Sequence, residues 1–137
     1  MSEDDKKPWH EIEISRYRQS TGVLSVMESE SHIPFLVKRV FWIHAVPDTN
    51  VERGGHAHAD LNQVIFCAQG SCQLELVSKN GKKQLFDMSD NSAAIFLEGL
   101  VWRMMRNFSS DCSLMVLCDR PYNEDRVITN YDEFLKS

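Results

Sequence analysis

The stretch Glu-Arg-Gly-Gly-His-Ala-His-Ala-Asp-Leu-Asn-Gln, residues 52–63, sets two imidazoles two positions apart, directly after an Arg-Gly-Gly approach. In an extended chain, residues i and i+2 share a face, so His56 and His58 project together, joined by Asp60 if the strand continues. Such a pair can begin a metal site when further His or carboxylate ligands complete it. It can also move protons, because a neutral imidazole accepts and returns a proton near pH 7 better than any other side chain. The plainest alternative is a structural pair bonded to backbone carbonyls. Gly54 and Gly55 let the backbone turn sharply and approach a bound group. His10, His32 and His44 lack this context and are expected in packing or surface roles.

The elements that must hold the pair are strands. Short apolar or alternating runs recur roughly every 8–12 residues between turn signals, the pattern of an all-β sandwich or barrel. Strands are predicted at 12–18, 22–28, 35–46, 55–58, 62–68, 71–78, 82–87, 93–97, 101–107 and 112–119. Ser71–Val77 alternates cleanly, with Cys72, Leu74 and Leu76 on one face and Gln73 and Glu75 on the other. Asn80-Gly81 signals a hairpin, and Gly70 marks another tight turn. Only the end looks helical, with Tyr131, Phe134 and Leu135 at helical spacing. The expected architecture is a small antiparallel jelly roll with a short C-terminal helix. No repeat or linker divides the chain, so residues 1–137 are expected to form one domain, with 1–10 as a solvated tail.

Composition narrows the function classes. With 137 residues, 42% of them hydrophobic, the chain can bury an adequate core. Its net charge of −5, with both signs interspersed, disfavours nucleic acid as a partner. No apolar run approaches the ~20 residues that span a bilayer, and the charged start is no secretory signal. Cys67, Cys72, Cys112 and Cys118 match no zinc spacing and sit in apolar, strand-like contexts. Reduced core thiols and a cytoplasmic location are the expectation.

The pair and its spacing resemble the first motif of the cupin superfamily, with His56-Ala57-His58 followed at the proper intervals by Gln63 and Gly70. Gln63 stands where that motif has Glu. In the second motif, matched by residues 97–102, Trp102 stands where it has His. Gln63 is a weak neutral oxygen donor and Trp102 offers no lone pair, so no metal is expected and no other cofactor is implied. Without one, the histidines become the acid–base equipment.

Four segments tighten the resemblance: 33–43 (IPFLVKRVFWI), 53–63 (RGGHAHADLNQ), 101–117 (VWRMMRNFSSDCSLMVL) and 121–134 (PYNEDRVITNYDEF). Together they are similar to the sugar 3,4-ketoisomerase family, the WxcM-like C-terminal domain family. That resemblance implies a metal-free homodimer with exchanged N-terminal strands. It also implies movement of the ketone of a dTDP-linked 4-keto-6-deoxyhexose from carbon 4 to carbon 3, ahead of an aminotransferase that makes 3-amino-3,6-dideoxy sugars such as those of O-antigens. It favours His56 as the carbon acid–base and His58 as the oxygen shuttle, although either assignment fits the spacing. Arg39 and Arg53 match positions facing the site, where a guanidinium fork suits pyrophosphate. Gln63 is expected to bond a sugar hydroxyl or orient a histidine, Trp102 to wall or stack on the ligand, and Arg103 to join them. Phe41, Asp60, Asn62 and Arg126 depart from the family pattern and bear on substrate choice and on the configuration at carbon 4. A 3,5-epimerase of the same nucleotide sugar and a non-catalytic sugar-binding jelly roll are the alternative readings.

Overall fold

The computed structural model describes residues 6–137, and two five-stranded antiparallel sheets make up most of it. The strands are β1 (Trp9–Ile12), β2 (Ser15–Gln19), β3 (Gly22–Val26), β4 (Arg39–His44), β5 (Arg53–His58), β6 (Gln63–Gln69), β7 (Ser71–Val77), β8 (Lys83–Ser89), β9 (Ala94–Leu97), β10 (Trp102–Arg106), β11 (Ser113–Cys118) and β12 (Val127–Ile128), followed by helix α1 (Tyr131–Leu135). One sheet runs β1-β9-β6-β11-β4 and the other β12-β5-β10-β7-β8, while β2 and β3 form a separate two-stranded ribbon. This is the small antiparallel jelly roll with a short C-terminal helix that the sequence pattern predicts, cupin-like as the resemblance implies.

Alternation does the folding work. In β7, Cys72, Leu74 and Leu76 are buried and Gln73 and Glu75 are half-buried, as the period of two requires. Those buried side chains meet Ile65, Cys67, Ile95, Leu97, Leu114 and Val116 from the facing sheet to form the main core. The β7–β8 hairpin closes through Ser78–Lys82, with Gly81 at φ 83°, so three residues rather than two make the turn. Both sheets are also covered outside. Ile33, Phe35 and Val37 pack on Val64, Phe96 and Leu117 of the first sheet. Phe134 of α1 and Ile128 pack on Ala57, Val77 and Trp102 of the second.

Two expectations are corrected and one element is added. The expected tail 1–10 ends early: Trp9 and His10 lie in β1, paired with Leu97 and Phe96, and Trp9 is buried with its indole donating to Gln84 at 2.7 Å. Residues 1–5 lie outside the described residues. The expected strand 35–46 is only β4, because Phe35 and Val37 are used to cover the outer face instead of joining the ladder. The two-residue β12 was not foreseen, since its partner Ala57–His58 is visible only in three dimensions. All four cysteines are free and buried. Burial pushes the thiols of Cys67, Cys72 and Cys112 up to about 12, as suits inert core residues.

Candidate active site

Strand β5 carries the pair and β10 holds it in place. Arg103 pairs with His56 and Met104 with Gly54, so Gly55 is the extra residue of a β-bulge. Gly54 and Gly55 have φ of 92° and 70°, and a Cβ on Gly54 would stand 2.8 Å from the carbonyl oxygen of Arg103. The two glycines therefore bring the backbone against β10, not against a ligand, and the bulge aims His56 and His58 into the barrel. Ala57 points the other way and is fully buried against Trp102.

The two rings meet edge to face with their Nε2 atoms 3.2 Å apart. Nδ1 of His58 lies 2.8 and 2.9 Å from the two carboxylate oxygens of Asp125, so it carries the proton and donates. Its Nε2 lone pair is thereby left free, 3.2 Å from Nε2 of His56. Asp125 also receives a 3.0 Å ion-pair bond from Arg39. Burial acts to raise the Asp125 carboxyl, but the bonds from His58 and Arg39 hold it below its ordinary value. Burial and then the charge of Arg103 lower both imidazoles, His58 to about 4. The pair is thus neutral at pH 7 and competent as a base.

Arg103 is 2% exposed, yet it borders the same cavity as the imidazoles. Its guanidinium bonds the side-chain oxygen of Gln63 and the carbonyl of Val101 (3.0 Å), and its Nε has no partner. Burial pushes Arg103 down to about 10, which leaves it cationic at neutral pH. Among the described residues, no carboxylate pairs with it.

These groups open on a cavity of 450 Å³ lined by Phe41, Trp42, Arg53, His56, His58 and Arg103, among others. Arg53 borders it and is exposed, where an anionic group would enter. Arg39 and Gln63 do not line it: Arg39 is committed to Asp125 and stacks on Phe41 and Tyr122, and Gln63 is fully buried between Arg103 and Cys118. Each instead bonds another residue of the site, Arg39 to Asp125 and Gln63 to Arg103. Trp102 does not line the cavity either. Trp102 pairs with Ala57 and faces Tyr131 and Phe134, since adjacent positions on β10 point to opposite sides. Asp60 ion-pairs with Arg126 at 3.9 Å on the surface. Asn62 accepts from the backbone of Gly99 and shapes a turn.

A divalent metal does not suit this geometry. His58 has one nitrogen on Asp125 and the other facing His56, Gln63 is tied to Arg103, and a buried cation already sits alongside. Sequence reasoning missed Asp125. It stands among polar loop residues in Tyr-Asn-Glu-Asp-Arg, with no periodicity to single it out, and pairing of Val127 with His58 is what delivers it.

Residues 7–137 match the family model described as FdtA, WxcM-like, C-terminal. The chain is 37% identical over 127 residues to TDP-4-oxo-6-deoxy-alpha-D-glucose-3,4-oxoisomerase of Aneurinibacillus thermoaerophilus, covering 91% of this chain and 88% of that one. A mutant of the 3,4-ketoisomerase QdtA from Thermoanaerobacterium thermosaccharolyticum, in complex with TDP-4-keto-6-deoxyglucose, superposes with a TM-score of 0.86 at 32% identity, over 94% of this chain and 92% of that one. The TDP-quinovose 3,4-ketoisomerase WlaRB of Campylobacter jejuni gives 0.86 at 32% identity, over 96% and 100%.

Proposed function

The chain belongs to the FdtA, WxcM-like C-terminal family, and from that premise we propose that it is a dTDP-4-keto-6-deoxyglucose 3,4-ketoisomerase that works without a metal. The observation that carries the reading is the neutral pair, two Nε2 atoms 3.2 Å apart, opening on a cavity beside a buried cation.

The chemistry follows from the ketone. A carbonyl at carbon 4 acidifies the hydrogen on carbon 3. His56, the less buried ring, takes that proton; the C3–H electrons form the C3=C4 bond and the carbonyl π electrons move onto oxygen 4. His58, held by Asp125, accepts the hydroxyl proton from oxygen 3 and gives it to oxygen 4. His56, its proton exchanged with solvent at the enediol stage, then protonates carbon 4 as the ketone forms at carbon 3. Atoms and electrons balance with no outside reagent. Arg53, beside the opening, supplies a cation for the pyrophosphate, and Phe41 and Trp42 supply apolar wall.

The enzyme acts as a homodimer with exchanged N-terminal strands. The β2–β3 ribbon supports this: it is hydrogen-bonded to neither sheet, and it exposes Tyr17, Val23 and Leu24, whereas an isolated two-stranded ribbon is marginal in water. A cytoplasmic location is supported by four free thiols, and no helix among the described residues is long and apolar enough to cross a membrane. The product would feed an aminotransferase acting at carbon 3.

Incubation of the 4-keto substrate in deuterated buffer containing EDTA tests the reading. Proton NMR should show the ketone moved to carbon 3 with deuterium at carbon 4. Deuterium at carbons 3 and 5 with the ketone unmoved would mark an epimerase, and binding without any exchange would mark a non-catalytic module.

A further inference from the structure

Gln63 and Arg103 together carry an inference beyond reaction class, resting on the ketoisomerase reading above. We propose that Arg103 contacts the oxygen that becomes negative in the enediolate and stabilises it, and that neutral Gln63 beside it keeps this cation uncompensated for that task.

Three observations converge on Arg103. It is 2% exposed, it lines the same cavity as the imidazoles, and its Nε is buried without a partner. A guanidinium has five N–H donors, and the protein engages this one only through Gln63 and Val101. A buried cation without a counter-ion is costly, and it is tolerated where an anion arrives in the course of reaction. Deprotonation at carbon 3 generates such an anion on oxygen 4, next to the base that must lie within reach of carbon 3. Donors fixed in advance where charge develops are the strongest general device for lowering such a barrier.

The charges around the pair identify Arg103 as the available cation. Arg103 from β10 and Arg53 from β5 face it as cations. Arg39 from β4 is neutralised by Asp125, which reaches His58 from the segment before β12, and Glu52 on β5's approach bonds Arg106. The thiol of Cys118 on β11 bonds Gln63 and Arg39. Of the two unneutralised cations, only Arg103 is buried, where its field is least screened. It also lowers the proton affinity of both rings, which keeps them neutral bases. A carboxylate at position 63 would pair with Arg103 and cancel both effects. Gln63 is thus a positioning residue whose lack of charge matters as much as its hydrogen bond.

Gln63→Glu, nearly isosteric, is the main test, with Arg103→Met as the second variant; folding of each is checked by near-ultraviolet circular dichroism. Gln63→Glu should lower kcat about 10–100-fold with little change in KM, and raise the acid limb of the kcat/KM profile by about one pH unit. Arg103→Met should lower kcat about 100–1,000-fold and shift that limb the same way. A wild-type protein that leaves the ketone at carbon 4 overturns the underlying reading. A wild type that moves it, with both folded variants within threefold of its kcat and the limb unmoved, overturns only the role of Arg103.

Discussion

The Nδ1 proton of His58 is committed to Asp125, while burial and Arg103 bring the ring's pKa to about 4. The unfolded chain has an ordinary histidine near 6.5, so below that pH the unfolded state binds a proton that the folded state refuses. Stability therefore falls as pH drops from about 6.5 to about 4, by on the order of 3 kcal/mol from this group. Asp125, held below its ordinary value, loses its contribution only at lower pH. Urea unfolding at stepped pH should show this slope, and His58→Asn should flatten it; an unchanged slope would remove His58 as its source. His56 and His58 were legible from their spacing on one strand, whereas Arg53 and Arg103 were suggested only by the family resemblance. Asp125 was neither, because a carboxylate in a polar loop gives no local sign of the ring it will meet.

Asp125 reaches the pair because a C-terminal segment is stapled to the second sheet. Val127 and Ile128 pair with His58 and Ala57, the Ala59 amide donates to the Arg126 carbonyl at 2.8 Å, and α1 follows. Five residues cannot sustain a helix alone; this one is capped by Asn130, whose side chain accepts from the Glu133 amide at 2.9 Å, and pinned by fully buried Phe134 against Trp102. Trp102 thus serves the site from behind. Phe134→Ala should cost about 3–5 kcal/mol and, where the protein stays folded, lower kcat in the same direction as Asp125→Asn. A destabilised variant with unchanged kcat would show that α1 stabilises the fold without positioning Asp125. The helix itself was readable from its apolar spacing, but its task was not.

Across the whole molecule, two sheets bury one continuous core between them and smaller clusters outside, yet the surface is not closed. Tyr17, Leu24 and Trp42 are 58%, 63% and 54% exposed. The proposed homodimer would cover Tyr17 and Leu24 of the ribbon. Sedimentation equilibrium at micromolar concentration should return twice the mass of the 137-residue chain, and the double variant Val23→Asp with Leu24→Asp should return the single mass. A monomeric wild type would refute the dimer.

The amino-acid sequence by itself determined the jelly roll, because a period of two and turn residues at short intervals leave few other ways to bury these side chains. It also determined that His56 and His58 share a face, which follows from strand geometry alone. Gln63 and Trp102, where a metal cupin has ligands, could be read there as missing ligands. Only the tertiary structure decided what those residues do instead. Gln63 holds a buried Arg103, Trp102 backs β5 from outside, Arg39 is spent on Asp125, and the Arg-Gly-Gly approach is a bulge against β10. Each depends on a partner more than thirty residues away in the chain. Local pattern carries no record of such a partner, because pairing between strands, not spacing along them, sets which polar groups meet.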